Sequence, residues 1–220
     1  MNTSAETSGF LTLRQRMVES QLRERGIADQ RVLDAMARVP RHEFAPAHYR
    51  DHAYEDHPLP IAEGQTISQP YIVALMLEAL ALTSADRVFE VGTGSGYVTA
   101  LLAELAAQVF SVERHATLAA GARGSLARMG YANVQVIIGD GSQGLPEFAP
   151  YDAIIVSAGA LELPHALVAQ LAEAGRMIIP VGRPDSQQLQ LIRMEDAQPR
   201  ITLRELCRFV PLISEDGLAC

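Results

Sequence analysis

The residues best equipped for chemistry sit in one stretch, Val88-Phe89-Glu90-Val91-Gly92-Thr93-Gly94-Ser95-Gly96-Tyr97, where an apolar run ends in an acid and a glycine-rich turn. Glycines let a backbone turn tightly and approach a ligand closely, and the helix that follows starts with unpaired N–H groups. The stretch departs from the dinucleotide fingerprint GxGxxG, because Tyr97 stands where the third glycine belongs. Two more acids close apolar runs further on: Glu113, and Asp140 followed by Gly141. In an open parallel sheet, ligands sit outside the carboxyl ends of the strands, where such acids collect.

Glu113 follows Glu90 at close to the roughly 20-residue offset at which an acid meets a ribose diol. A carboxylate accepts from both hydroxyls, whereas this many acids repel phosphate. Asp140, on a tight turn, suits an adenine amino group. Each acid alone also reads as a solvated loop residue or a helix cap. In this order on successive strands, with Gly92, Thr93, Gly94, Ser95 and Gly96, they describe a site for adenosine without phosphates and a partner carrying positive charge. S-adenosylmethionine, a sulfonium, matches that description better than NAD.

Positioning these groups falls to an alternation of strand and helix. Strand-like runs at 87–91, 109–112, 134–138, 153–156 and 176–181 alternate with helical stretches at 98–107, 118–129 and 166–171. Short apolar strands flanked by helices predict a mostly parallel, doubly wound α/β sheet covered on both faces. Two final strand-like runs, 188–194 and 201–210, have no helix between them and read as an antiparallel addition at the sheet edge. Upstream, Gly26 stops a first helix, Asp29 caps a second that runs to Pro40, and Pro70 opens a third. The stretch 51–68 lacks periodicity, and a loop of that length is more often functional than idle. The expected organisation is a disordered tail over 1–9, a helical and substrate-loop region over 10–82, the α/β domain over 83–212 and a tail over 213–220.

Composition narrows the partners. The chain has 220 residues and a net charge of −8, with 18 Lys+Arg against 26 Asp+Glu, which argues against gripping a nucleic-acid backbone or an anionic membrane. Only Cys207 and Cys220 are cysteines, and a bridge to the last residue constrains little, so reduced thiols and a cytoplasmic setting are expected. No leader pattern opens the chain, and no apolar run approaches the ~18 residues of a membrane span. The six histidines match no zinc spacing, so no metal is expected.

The residues then resemble a known family, the protein-L-isoaspartate (D-aspartate) O-methyltransferases. The similarity runs from about Met17 to Leu212 through Pro40-Arg41-His42-Glu43-Phe44, Ala53-Tyr54-Glu55-Asp56 and Gly64-Gln65-Thr66-Ile67-Ser68-Gln69-Pro70-Tyr71. It continues through Glu90–Tyr97, Ser111-Val112-Glu113-Arg114, Gly139-Asp140-Gly141 and Pro180-Val181-Gly182. The glycine loop and the Asp-Gly turn are shared by many methyltransferases, while the Gln65–Tyr71 segment is specific to this family.

The resemblance implies a Rossmann-like methyltransferase fold, S-adenosyl-L-methionine as methyl donor, and the free α-carboxylate of L-isoaspartyl residues in damaged proteins and peptides as acceptor. By matched position, Glu90 and the glycine loop line the cofactor, Glu113 holds the ribose, and Asp140-Gly141 faces the adenine. Ser68 matches the active-site hydroxyl, and Ile67, Gln69, Pro70 and Val210 shape the substrate groove. It departs from the family pattern at Ser157-Ala158-Gly159-Ala160, beside the implied cofactor pocket, and at Ala174-Gly175-Arg176, and its tail past Leu212 is longer. Three readings compete with protein repair by a monomer or weak oligomer: a carboxyl methyltransferase tailoring one dedicated peptide, a binding module that senses the cofactor, and an NAD-dependent oxidoreductase. Intact Ser68 argues against the sensor, and Tyr97 against the oxidoreductase.

Overall fold

The computed structural model describes residues 3–214 and 217–220. Helix α1 (Thr3–Arg16) runs on through a wider π turn at Met17–Leu22 and a 3₁₀ turn at Arg23–Arg25. It begins within the expected tail: residues 3–9 form its first turns, and the segment contains no proline to prevent a helix. Gly26 ends the run at φ 98°, a left-handed stop that glycine adopts without steric cost. Asp29 caps α2 (Gln30–Arg38), its carboxylate accepting from the N–H of Arg31 at 2.9 Å and of Val32 at 3.4 Å. Two 3₁₀ turns (Arg41–Glu43 and Ala47–His52) follow, then a small antiparallel hairpin of β1 (Leu59–Pro60) and β2 (Thr66–Ile67), with Leu59 opposite Ile67. Helix α3 (Pro70–Leu80) starts on its proline, where the missing N–H leaves nothing unpaired.

The sheet is then laid down by β3 (Arg87–Val91), α4 (Tyr97–Leu105), β4 (Gln108–Glu113), α5 (Ala116–Arg128) and β5 (Val134–Ile138). It continues with β6 (Tyr151–Val156), the four-residue α6 (His165–Val168), β7 (Leu171–Val181), β8 (Gln187–Glu195) and β9 (Gln198–Cys207). These seven strands lie in the order β5-β4-β3-β6-β7-β8-β9. Pairing is parallel from β5 across to β7 and antiparallel from β7 through β9, as the last two apolar runs predict. The chain winds from β3 outward to β5, then returns to β6 on the other side of β3. The topological switch point therefore lies between β3 and β6.

The pleat sorts side chains to two cores. Val88, Ala153 and Ile155 face α3 and α4, packing with Val73, Leu77 and Leu101. Phe89, Ile154 and Val156 face the opposite side, where Phe89 stacks on Tyr151 with ring centroids 5.0 Å apart and Leu167 of α6 joins them. Arg176 donates to the carbonyls of Leu80 and Ala81 and to the Asp86 carboxylate, fixing the end of α3 against the sheet. Among the described residues, no helix is long and apolar enough to cross a membrane.

Candidate active site

The cleft lies over the switch point. After β3 the chain turns through Gly92 (φ 91°) and Gly94 (φ 54°) before α4, and the Gly92 N–H donates to the Val112 carbonyl at 2.9 Å. Gly92 is packed from the side: a Cβ built on it meets the Ser157 Cβ at 3.5 Å, because β6 ends directly beside β3. The loop is thus held between the ends of β4 and β6 and presents main chain rather than side chains to the cleft.

Glu113 ends β4 and is 5% exposed. One carboxylate oxygen accepts from the Gly94 N–H at 2.8 Å and the other from the His115 N–H at 2.9 Å. The acid therefore ties the glycine loop to the start of α5 and still lines the cleft. Opposite, the β1–β2 hairpin forms a lid whose Gln65, Thr66, Ile67 and Ser68 face the same space. Ile61 of the lid lies over Gly94, where a Cβ would meet its Cδ1 at 3.7 Å. At the tip, Glu63 sits in the left-handed region (φ 58°, ψ 24°), accepts from the Thr117 hydroxyl at 2.6 Å, and lies 3.8 Å from His115 Nδ1.

The cleft is open to solvent, with about 770 Å³ of space that includes its mouth. Its lining fits an adenosine-type cofactor: a nearly buried acid at the end of β4, the glycine loop and apolar walls at Val91, Val98 and Val112. Among the described residues, Arg114 is the one Lys or Arg side chain lining it.

A second groove of about 790 Å³ adjoins the cleft, lined by residues that include Pro58, Gln69, Ile72, Arg208 and Phe209. Thr66, Ser68, Ser157 and Val210 line both cavities. The site is therefore two chambers with a common wall.

Residues 13–217 match the family model described as protein-L-isoaspartate(D-aspartate) O-methyltransferase. The chain belongs to this family. A protein-L-isoaspartate O-methyltransferase of Koribacter versatilis is 56% identical over 217 residues, covering 99% of this chain and 98% of that one. One of Methanoculleus marisnigri is 55% identical over 205 residues, covering 93% of each. Among solved structures, a protein-L-isoaspartate O-methyltransferase superimposes with TM-score 0.81 at 32% identity over 90% of this chain, which spans 65% of that neighbour's length. A Plasmodium falciparum structure described as a beta-aspartate methyltransferase in complex with S-adenosyl-L-homocysteine superimposes with TM-score 0.80 at 30% identity, covering 90% of this chain and 97% of that one.

Of the residues expected in this family's site, the structure brings Gly92, Thr93, Gly94, Ser95, Glu113, Gly141, Ile67, Ser68 and Val210 to the cleft, and Ser68 and Val210 also line the adjoining groove. Gln69 lines the adjoining groove, while Pro70 is buried at the head of α3 and lines neither cavity. Gly96 lies behind the loop, where a Cβ would come within 3.2 Å of the Ala122 Cβ on α5. Asp140 does not line the cleft; its carboxylate accepts from the Ser142 N–H at 2.8 Å, capping a short turn.

Glu90 is displaced from the cleft by the pleat. Alternate residues of a strand face opposite sides, so Val91 reaches the cleft while Glu90 turns under α4, fully buried. One of its oxygens accepts from Thr99 at 2.5 Å and Ser111 at 2.6 Å. The Ser111 hydroxyl in turn lies 2.5 Å from that of Thr93, so the acid supports the loop from below. Its other oxygen has no hydrogen-bond partner among the described residues. Burial pushes this carboxyl up to about 8 against the pull of the two hydroxyl donors, with the Glu113 charge adding to the rise.

Other residues also line the cleft. Tyr97 opens α4, is buried under the cleft, and has the Arg41 guanidinium 4.9 Å from its ring centroid. Pro211, Leu212 and Ile213 arrive because the chain leaves β8 after β9 and crosses the end of β6, with the Gly159 N–H donating to the Val210 carbonyl and Leu212 N–H to that of Gly159, both at 2.8 Å.

Proposed function

We propose that this chain transfers the methyl group of S-adenosyl-L-methionine to the free α-carboxylate of L-isoaspartyl residues in damaged proteins and peptides, the step that starts their repair through a succinimide. The observation that carries the reading is the junction of the two chambers at Ser68. The family relation and the S-adenosyl-L-homocysteine held by the Plasmodium falciparum neighbour support the choice of donor.

Glu113 would hold the ribose hydroxyls, the glycine loop would pass under the cofactor, and Gly141 would lie against the adenine. When bound, the cofactor supplies an electrophilic methyl on a sulfonium, which leaves as a neutral thioether once its carbon–sulfur bond breaks. An acceptor carboxylate, with an ordinary pKa near 4, is already an anion at neutral pH. The chain therefore needs no general base, and Ser68 acts by orienting the carboxylate rather than as a nucleophile. Anion and sulfonium lose their charges as the bond forms, so walls that exclude water favour the step, and alignment supplies much of the rest. The apolar lining from Val91, Ile67 and Leu212 serves that exclusion. Both cysteines are free thiols, consistent with the cytoplasmic setting that forms part of this proposal.

The test is methyl transfer from labelled S-adenosyl-L-methionine to matched peptides carrying isoaspartate or normal aspartate. A base-labile ester on the isoaspartyl peptide alone is expected. Labelling confined to one peptide sequence would favour a dedicated tailoring enzyme, and cofactor binding with neither peptide labelled would overturn the acceptor assignment.

A further inference from the structure

Of the four residues common to both chambers, Thr66 and Ser68 come from the lid and Val210 from the crossing segment, while Ser157 comes from the sheet. Its position is fixed by main chain. The Ser157 N–H donates to the Val91 carbonyl at 2.9 Å, carrying the β3–β6 pairing one residue past Val156, and its Cβ packs beside Gly92. The side chain is half-buried, and neither its hydroxyl nor that of Ser68 is bonded to another described protein group. Thr66, by contrast, is exposed on the lid. A donor in a closing wall loses its water partners when the groove fills, so an occupant must replace them or leave it unpaired.

Resting on the function proposed above, we propose that Ser157 is a second positioning hydroxyl, donating to the acceptor carboxylate oxygen that Ser68 leaves free. A carboxylate held at one oxygen can rotate about its carbon–carbon bond. Held from the lid and from the sheet, its plane is set and one lone pair stays directed at the cofactor chamber. In the transfer, the carboxylate oxygen bonds to the methyl carbon as the carbon–sulfur bond breaks, its electron pair remaining on sulfur. No proton moves, so Ser157 contributes by alignment alone. Its placement beside Gly92 puts this second donor on the sheet wall of the site.

The experiment compares wild type with Ser157→Ala, which removes one oxygen and keeps the small side chain that Gly92 packs against. Wild type is first assayed on isoaspartyl and aspartyl peptides; failure to esterify the isoaspartyl peptide sinks both the function and this role. With wild type active, Ser157→Ala is expected to lower kcat/KM for the peptide by about 10- to 100-fold, the range for losing a hydrogen bond to a charged group. The Kd for S-adenosylhomocysteine should stay within about twofold, and Ser157→Thr, which keeps the hydroxyl, should restore most of the activity. Ser157→Cys, a near-isostere with a weak donor, should fall with alanine, and decides the matter if the alanine variant does not fold. Unchanged kcat/KM in Ser157→Ala overturns the role. Parallel losses of peptide turnover and cofactor affinity overturn it too, since they would make Ser157 a support for the glycine loop.

Discussion

Removing the Glu113 side chain separates a ligand role from a merely structural one. Its two oxygens accept from the Gly94 and His115 N–H groups at 2.8 and 2.9 Å, and the residue lines the cleft. Glu113→Ala unpairs both donors and removes the acceptor proposed for the ribose. A hydrogen bond to a charged group contributes ~1.5–3 kcal/mol, but the freed N–H groups regain water once the side chain is gone, so the losses do not add. The expected cost in cofactor affinity is about 1–3 kcal/mol, a 5- to 150-fold rise in Kd. Glu113→Gln should fall between, because its one carbonyl oxygen can serve a backbone donor while its NH₂ group faces the other. Titration calorimetry with S-adenosylhomocysteine on folded variants reads both. A Kd for Glu113→Ala within about twofold of wild type would refute the reasoning and leave Glu113 as a brace between the loop and α5.

Ser68→Ala should lower kcat for the isoaspartyl peptide by about 10-fold or more while cofactor affinity stays near wild type; a large loss of cofactor binding in calorimetry would contradict an orienting role. The Glu90 carboxyl is held up at about 8 in the fold against an ordinary 4.5, so the folded chain keeps a proton that the unfolded chain releases. Stability from this group is full below the unfolded value and falls as pH rises toward about 8, by up to ~1.4 kcal/mol per pH unit. Urea unfolding of Glu90→Gln against wild type should show the variant gaining relative stability from pH 5 to pH 8, and parallel profiles would mean that Glu90 is ionised in the fold. A Cβ on Gly141 would come within 2.4 Å of Val91 Cγ1. Gly141→Ala should therefore cost ~1–3 kcal/mol in thermal melts, relieved when Val91→Ala is added, and fully additive losses would show that the contact is not what matters.

Local chemistry was the legible part of this sequence. The runs at 87–91 and 134–138 coincide with β3 and β5, because apolar stretches bounded by turn residues leave little room for another reading. Asp29, Pro70 and Gly26 act at the helix ends their side chains suit. The stretch 166–171 was less legible: α6 is four residues long, and Leu171 already belongs to β7. Its apolar spacing fits either state, and the pull of the sheet decides. The site divides the same way. Glu113 and Ser68 reach the cleft because each sits where a strand or hairpin ends beside it. Glu90 does not, since one residue of pleat separates the cleft from the space under α4. Pro211 to Ile213 reach it by crossing β6, a long-range event that no local pattern records.

The tether at the lid tip bears on how the two chambers are coupled. Glu63 holds the lid to α5 through the Thr117 hydroxyl and the neighbouring His115, all near solvent. Such an exposed contact contributes only ~0–1 kcal/mol, while the left-handed backbone of Glu63 costs roughly 1–2 kcal/mol. The tether alone therefore adds little, and the hairpin is held down mainly by Leu59 and Ile67, both buried in the core. By reciprocity, whatever affinity the cofactor draws from Ile67 and Ser68, the closed hairpin draws from the cofactor. Since Ser68 lines both chambers, whatever fixes the hairpin over one also fixes a wall of the other.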